Sequence, residues 1–186
     1  MTKLSTWSRL VFAAALAATL GLALHQAKAA DTLVERGKYL VTVGSCTDCH
    51  TPGSFFGKPD MARFLGGSDV GFAIPGLGVF VGRNLTPDKE TGLGKWTRAQ
   101  IITAFTTGKR PDGRMLAPIM PYEAYQHLKH SDAVAIAAYL QSLKPVSHAV
   151  PGPFGPDQKV DVFVMTVLPA DVYNGLPKPP PPPPAK

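Results

Sequence analysis

The chain has 186 residues, 45% of them apolar and 17% charged, a balance that allows a packed core and excludes a disordered, charge-dominated polymer. Its formal charge is +6, yet no basic stripe interleaved with aromatic residues occurs, so the sequence offers no footprint for nucleic acid.

Lys3 and Arg9 precede an apolar run from Leu10 to Leu24, and Ala27-Lys28-Ala29 supplies a small-x-small cleavage pattern. This predicts an export signal over residues 1–29, a mature chain beginning near Ala30 and a periplasmic location. The apolar run of 15 residues falls short of the roughly 20 that a spanning helix needs, so no membrane span is expected in the mature chain. Cleavage removes Lys3, Arg9 and Lys28 with no acidic residue, which takes the charge from +6 to +3.

A helix is expected from Asp31 to Val43, with Asp31 or Thr32 as its cap and Leu33, Gly37 and Leu40 at helical spacing. It leads into Cys46-Thr47-Asp48-Cys49-His50, which holds the only two cysteines of the chain. That pentapeptide is the attachment pattern of a c-type haem. Two thiols three positions apart lie on one side of a helical turn, where they reach the two vinyl groups along one porphyrin edge, and the adjacent imidazole falls beneath the iron. A thioredoxin-like disulfide would sit in a βαβ context, which residues 30–60 do not show, and a zinc site would need a second ligand pair that does not follow. The expectation is one haem c held covalently by Cys46 and Cys49, with His50 as proximal ligand and a backbone carbonyl fixing its second ring nitrogen.

Residues 51–95 are rich in glycine and proline and predict a long loop region that wraps the haem and excludes water from one edge. One hairpin is expected within it, Gly71 to Ile74 against Val79 to Val81 around Pro75-Gly76. A second helix starts at Thr97, where Thr97 and Gln100 form a capping box and Trp96 with Ile101 a hydrophobic staple. Ile101, Ile102 and Phe105 mark its buried face, and Gly108 stops it.

For the sixth position on the iron the candidates are Met61, Met115, Met120, Met165, His127, His130 and His148. Met120 is the choice, because Leu116-Ala117-Pro118-Ile119-Met120-Pro121-Tyr122 places prolines on both sides of it, stiffening an apolar loop and removing two amide donors. Met115, presented by the turn-like Asp112-Gly113-Arg114, is the alternative. His127 and His130 stand beside polar neighbours and read as solvent-facing.

A short helix is expected from Pro121 to Leu128. The last helix begins at Ser131, carries Val134, Ile136, Ala137, Leu140 and Leu143 on its apolar side, and ends before Pro145. Gly37 and Tyr139 are the expected crossing point of the first and last helices. Beyond Pro145, proline, glycine and polar residues lead to an apolar patch, Val162-Phe163-Val164-Met165, and then to Pro179–Pro184, a polyproline spacer or docking tail. The organisation is thus a signal over 1–29, a domain over 30–146 and an extension over 147–186.

Arg36-Gly37-Lys38-Tyr39-Leu40, Asn84-Leu85-Thr86-Pro87-Asp88, Thr91-Gly92-Leu93-Gly94-Lys95-Trp96, Asp112-Gly113-Arg114 and Met120-Pro121-Tyr122 join the haem motif in an order that resembles class I cytochrome c. More narrowly, they resemble the monohaem modules that accompany bacterial periplasmic alcohol and aldehyde dehydrogenases, over about residues 32–146. The resemblance implies an all-α fold around one covalent haem c, with Cys46, Cys49, His50 and Met120 in the family's positions and His50 and Met120 as the metal ligands. It implies an electron carrier rather than an enzyme, exchanging single electrons with redox partner proteins: a periplasmic dehydrogenase, a terminal oxidase or another cytochrome. Arg83, Asn84 and Trp96 become candidates for contacting the haem propionates. Two rival classes are a haem enzyme or gas sensor, which needs a labile sixth position, and a structural subunit whose tail does the binding.

Overall fold

The computed structural model describes residues 32–177. The expected export signal, the Asp31 cap and the proline run Pro179–Pro184 lie outside the described residues. Helix α1 covers residues 32–43, and after a left-handed turn at Ser45 (φ 52°) the short helix α2, Cys46–His50, carries the cysteine motif. Then come strands β1 (Val70–Ile74) and β2 (Gly78–Val81) and helices α3 (Arg98–Thr107), α4 (Tyr122–Tyr125) and α5 (His130–Ser142). Strand β3 (Phe163–Met165) and helix α6 (Ala170–Gly175) follow.

The helices meet around Val41, Leu65, Ile101, Phe105, Ala133, Ala137 and Leu140. α1 and α5 cross where expected, because a side chain at Gly37 would run into the backbone of Ala135 and the Cβ of Tyr139. Across the same crossing, Arg36 Nε donates to a carboxylate oxygen of Asp132 at 2.9 Å, and Arg36 holds that carboxyl below the usual carboxylate range. The pair is half exposed on the arginine side and orients the helices more than it stabilises them. α5 buries Ala133, Ala135, Ala137, Ala138 and Leu140, whereas Val134 and Ile136 are only half-buried. Its inner side is built largely of small residues, which is what lets α1 approach so closely.

α3 begins and ends as its sequence dictates. Gln100 N donates to Thr97 Oγ1 at 3.2 Å, Thr97 N donates to Gln100 Oε1 at 2.9 Å, and Gly108 closes the helix at φ 76°. Ile101, Ala104 and Phe105 point inward from it.

The all-α expectation needs correction, because a small sheet of order β2-β1-β3 stands beside the helices. β1 and β2 form the expected antiparallel hairpin, with Gly71 opposite Val81 and Ile74 opposite Gly78. β3 adds in parallel to β1, with Val70 opposite Phe163. Only three residues pair, too few for an alternating pattern, and they join a strand far back in the chain, so the local sequence carries no sign of it.

Gly37→Ala should lower the unfolding free energy by about 1–3 kcal/mol, the usual cost of forcing a methyl group into a closed contact. Thermal unfolding checks this, and an unchanged midpoint would mean that α1 and α5 do not meet at Gly37.

Candidate haem site

Both cysteines are half-buried free thiols, and burial pushes the pKa of each up, keeping them protonated in neutral solution. Cys46 lies against the helical core, and the Cys49 carbonyl rests on Gly82, where a Cβ would strike it. The loop after the motif is anchored at once: Gly67 N donates to His50 O at 2.8 Å, and Leu65 N donates to the buried Thr51 Oγ1 at 2.9 Å.

His50 is only 8% exposed, and its Nδ1 lies 2.7 Å from the carbonyl oxygen of Arg83. A carbonyl can only accept, so Nδ1 carries the hydrogen. Burial pulls the imidazole pKa down, against the opposing effect of that hydrogen bond, and the ring stays neutral with its lone pair on Nε2. This is the tautomer a metal ligand requires. The carbonyl expected for this role therefore belongs to Arg83, delivered two residues beyond the end of β2.

Of the three residues suggested for propionates, Asn84 has a different job. It is buried, and its Nδ2 hydrogens go to Thr91 Oγ1 at 3.0 Å and Val146 O at 2.7 Å, while its Oδ1 accepts from Thr86 N at 2.9 Å and Thr86 Oγ1 at 2.7 Å. Its donors are spent on tying the loop to the end of the domain. Arg83 likewise spends its guanidinium on carbonyls, with Nη1 donating to Val150 O and Pro151 O and Nη2 to Gly152 O. Trp96 remains in play through a residue the sequence reading missed, Arg110, whose Cζ stands 5.7 Å from the Trp96 ring centroid. Arg110 Nη2 reaches Asp112 at 3.3 Å, but Arg110 Nε is buried without a hydrogen-bond partner among the described residues. Burial, and then the charges of Arg110 and Arg114, hold the Arg83 pKa below its ordinary value, so the three guanidiniums are close enough to repel. Lys109-Arg110-Pro111-Asp112 reads as an ordinary charged turn, and nothing in that run distinguishes Arg110.

Met120 is half-buried against the same core that Cys46 touches. Its loop is pinned from both sides, with Met120 N donating to Ala117 O at 2.9 Å and Tyr122 N donating to Met120 O at 2.8 Å. A cavity of about 320 Å³ opens beside it, lined by Pro118, Met120, Pro121, Tyr122, Glu123 and Ala124. Tyr125 of α4 packs edge-on against Phe105 at 6.2 Å and reaches Gly44 O at 3.4 Å, connecting the methionine loop to the turn before the cysteines. The competing candidates sit in other settings, with the Met115 methyl against Gly108, where the Tyr122 ring also packs. Met61, Met115 and Met165 are exposed, as are His127 and His130, and His148 Nδ1 lies 2.8 Å from Gly66 O.

Residues 34–144 match the Cytochrome c family. The chain belongs to that family. It is 34% identical over 152 residues to the cytochrome c subunit of a quinone alcohol dehydrogenase from Gluconacetobacter polyoxogenes, covering 81% of this chain and 29% of that protein. It is 37% identical over 120 residues to the fructose dehydrogenase cytochrome subunit of Gluconobacter japonicus, covering 63% and 23%. The gluconate 2-dehydrogenase cytochrome c subunit of Pantoea cypripedii is 36% identical over 128 residues, covering 68% and 27%. The chain thus spans less than a third of the length of these relatives. Haem c bound covalently is the cofactor of the family, and Cys46 and Cys49 fit its attachment motif. The residues present suit that group: two half-buried thiols, a neutral buried imidazole with a free lone pair, and, in a cluster of arginines, a guanidinium N–H without a partner among the described residues.

Asn84→Ala should remove about 2–4 kcal/mol of stability, since it deletes four hydrogen bonds and leaves the buried Thr86 N–H without its acceptor. The folded fraction should keep a low-spin haem spectrum. A high-spin spectrum would return Asn84 to the haem environment.

Proposed function

We propose that this chain is a periplasmic one-electron carrier that holds a single haem c, attached through Cys46 and Cys49 and ligated by His50 and Met120. The observation that carries this reading is the His50 geometry: a buried neutral imidazole whose Nδ1–H is fixed by Arg83, with its other nitrogen left to bind a metal. The haem, when bound, supplies an iron that alternates between ferric and ferrous states. Everything else is done by the polypeptide. α1 and α2 deliver the thiols and the imidazole, and the hydrogen bond to Arg83 holds the ring plane and raises its basicity as a ligand. The prolines around Met120 keep a soft sulfur on a stiff, apolar loop, a ligand that favours ferrous iron and raises the reduction potential. Arg110 and Trp96 offer a half-buried cationic corner for the propionates. If His50 and Met120 both ligate the iron, no position on it would be open to a substrate, and the chemistry it would supply is the exchange of single electrons.

The relatives are cytochrome subunits of alcohol, fructose and gluconate dehydrogenases, which supports a dehydrogenase as electron donor for this chain. A terminal oxidase or another cytochrome then serves as acceptor. Residues 1–29 act as the export signal, 30–146 as the cytochrome domain and 147–186 as an extension with a proline-rich end. Among the described residues no helix is long and apolar enough to cross a membrane.

Met120→Ala in the haem-loaded protein should abolish the weak red-edge charge-transfer band of sulfur-ligated ferric haem, turn the spectrum high-spin and lower the reduction potential. Met115→Ala should leave all three unchanged. The opposite pattern would move the sixth ligand to Met115.

A further inference from the structure

The chain beyond α5 does not hang free. Val146 and His148 join the Asn84 and Thr91 cluster, with Val146 N donating to Thr86 Oγ1 at 3.1 Å and His148 N donating to Thr91 Oγ1 at 3.0 Å. Phe154 exchanges backbone hydrogen bonds with Val79 of β2, at 2.9 Å in each direction, and β3 then pairs with β1. Between these anchors, Val150, Pro151 and Gly152 turn three consecutive carbonyls toward the guanidinium of Arg83. The same residue presents its own carbonyl to His50 Nδ1.

We propose that Arg83 is a two-ended positioning residue through which the C-terminal extension sets the orientation and ligand strength of His50. The inference rests on His50 being an axial ligand. A planar guanidinium that donates to three carbonyls in a row fixes its side chain in direction as well as distance, which a lysine ammonium does not do. With the side chain captured at one end and β2 at the other, the Arg83 peptide plane has little freedom to rotate. Its carbonyl therefore stays aimed at the imidazole. A firm acceptor at Nδ1 makes the ring a stronger donor through Nε2 and favours ferric iron, whereas a slack one favours ferrous iron. The extension thereby reaches the metal ligand without touching it.

Two effects of Arg83 oppose each other, and this makes the idea testable. Its positive charge near the haem favours the ferrous state, so loss of charge alone would shift the equilibrium toward ferric iron. Loss of the brace shifts it toward ferrous iron. Arg83→Lys keeps the charge and removes the three-way grip. In the full-length haem-loaded protein this variant should raise the ferrous fraction at a fixed applied potential and change the g-values of the ferric electron paramagnetic resonance spectrum. Solvent exchange of the His50 Nδ1 proton should speed up, because the hydrogen bond that protects it is no longer held in place. Gly78→Ala should move all three readouts the same way with Arg83 intact, because a Cβ at this position (φ 111°) would strike the Phe154 carbonyl and push the extension off β2.

Unchanged g-values and unchanged proton exchange in Arg83→Lys would overturn the proposal and leave Arg83 as a charge alone. A response in Arg83→Lys with none in a folded Gly78→Ala would overturn the part played by the extension. If Gly78→Ala does not fold, Gly152→Ala, strained at φ 74° on one of the three residues whose carbonyls meet Arg83, takes its place under the same criterion. The unmodified protein separates this question from the one beneath it, since a ferric spectrum lacking a histidine-ligated low-spin signature would remove His50 as ligand whatever the variants do.

Discussion

The hydrogen bond from His50 Nδ1 to the Arg83 carbonyl is the contact on which the rest of the arrangement turns. It decides which nitrogen carries the hydrogen, and burial decides that the ring is neutral, so the two together leave one lone pair in a defined direction. Much of the loop region between the helices exists to make that contact possible. Gly82 lets the strand end lie directly on the Cys49 carbonyl, Gly67 closes on the His50 carbonyl, and Thr51 receives the Leu65 amide. A long segment that is irregular by itself is thus held at one end by a few buried hydrogen bonds to the cysteine motif and Thr51.

The electrostatics follow from the same geometry. The chain places Arg83, Arg110 and Arg114 near one another, an unfavourable concentration of charge in a partly buried corner. Asp112 offsets some of it, through contacts with Arg110 at 3.3 Å and Arg114 at 2.8 Å. Arg83 is relieved by backbone carbonyls, and Arg110, over the Trp96 face, keeps an Nε with no partner among the described residues. A protein does not ordinarily tolerate a buried guanidinium N–H with nothing to bond, so this corner makes physical sense once an anionic group is supplied.

The helical part of the fold was legible because its signals are local. The cysteine pentapeptide, the Thr97 and Gln100 box, the Gly108 stop and the Gly37 crossing each depend on a few adjacent residues or on one missing side chain, and the structure shows each in place. The hairpin was legible for the same reason, through its Pro75-Gly76 turn. What escaped depends on pairing between distant segments. β3 is three residues long and finds its partner across the whole helical domain, so the all-α reading missed it. Asn84 reads as a polar group free for a ligand, yet Thr86, Thr91 and Val146 consume its side chain. Arg110 gave no sign at all, because its significance lies in an unpartnered atom that only the folded chain reveals.

Within the candidate site, the attachment pair and the proximal histidine rest on chemistry visible in five residues, while Met120 rests on where its loop lands among several methionines. The relatives carry the family assignment and leave the haem count of this chain to direct measurement. Intact-mass spectrometry of the natively matured polypeptide tests the central claim. The account predicts the mass of the processed chain plus one haem, with the increment lost when Cys46 and Cys49 are both replaced by alanine. A natively matured chain at its bare polypeptide mass would contradict it.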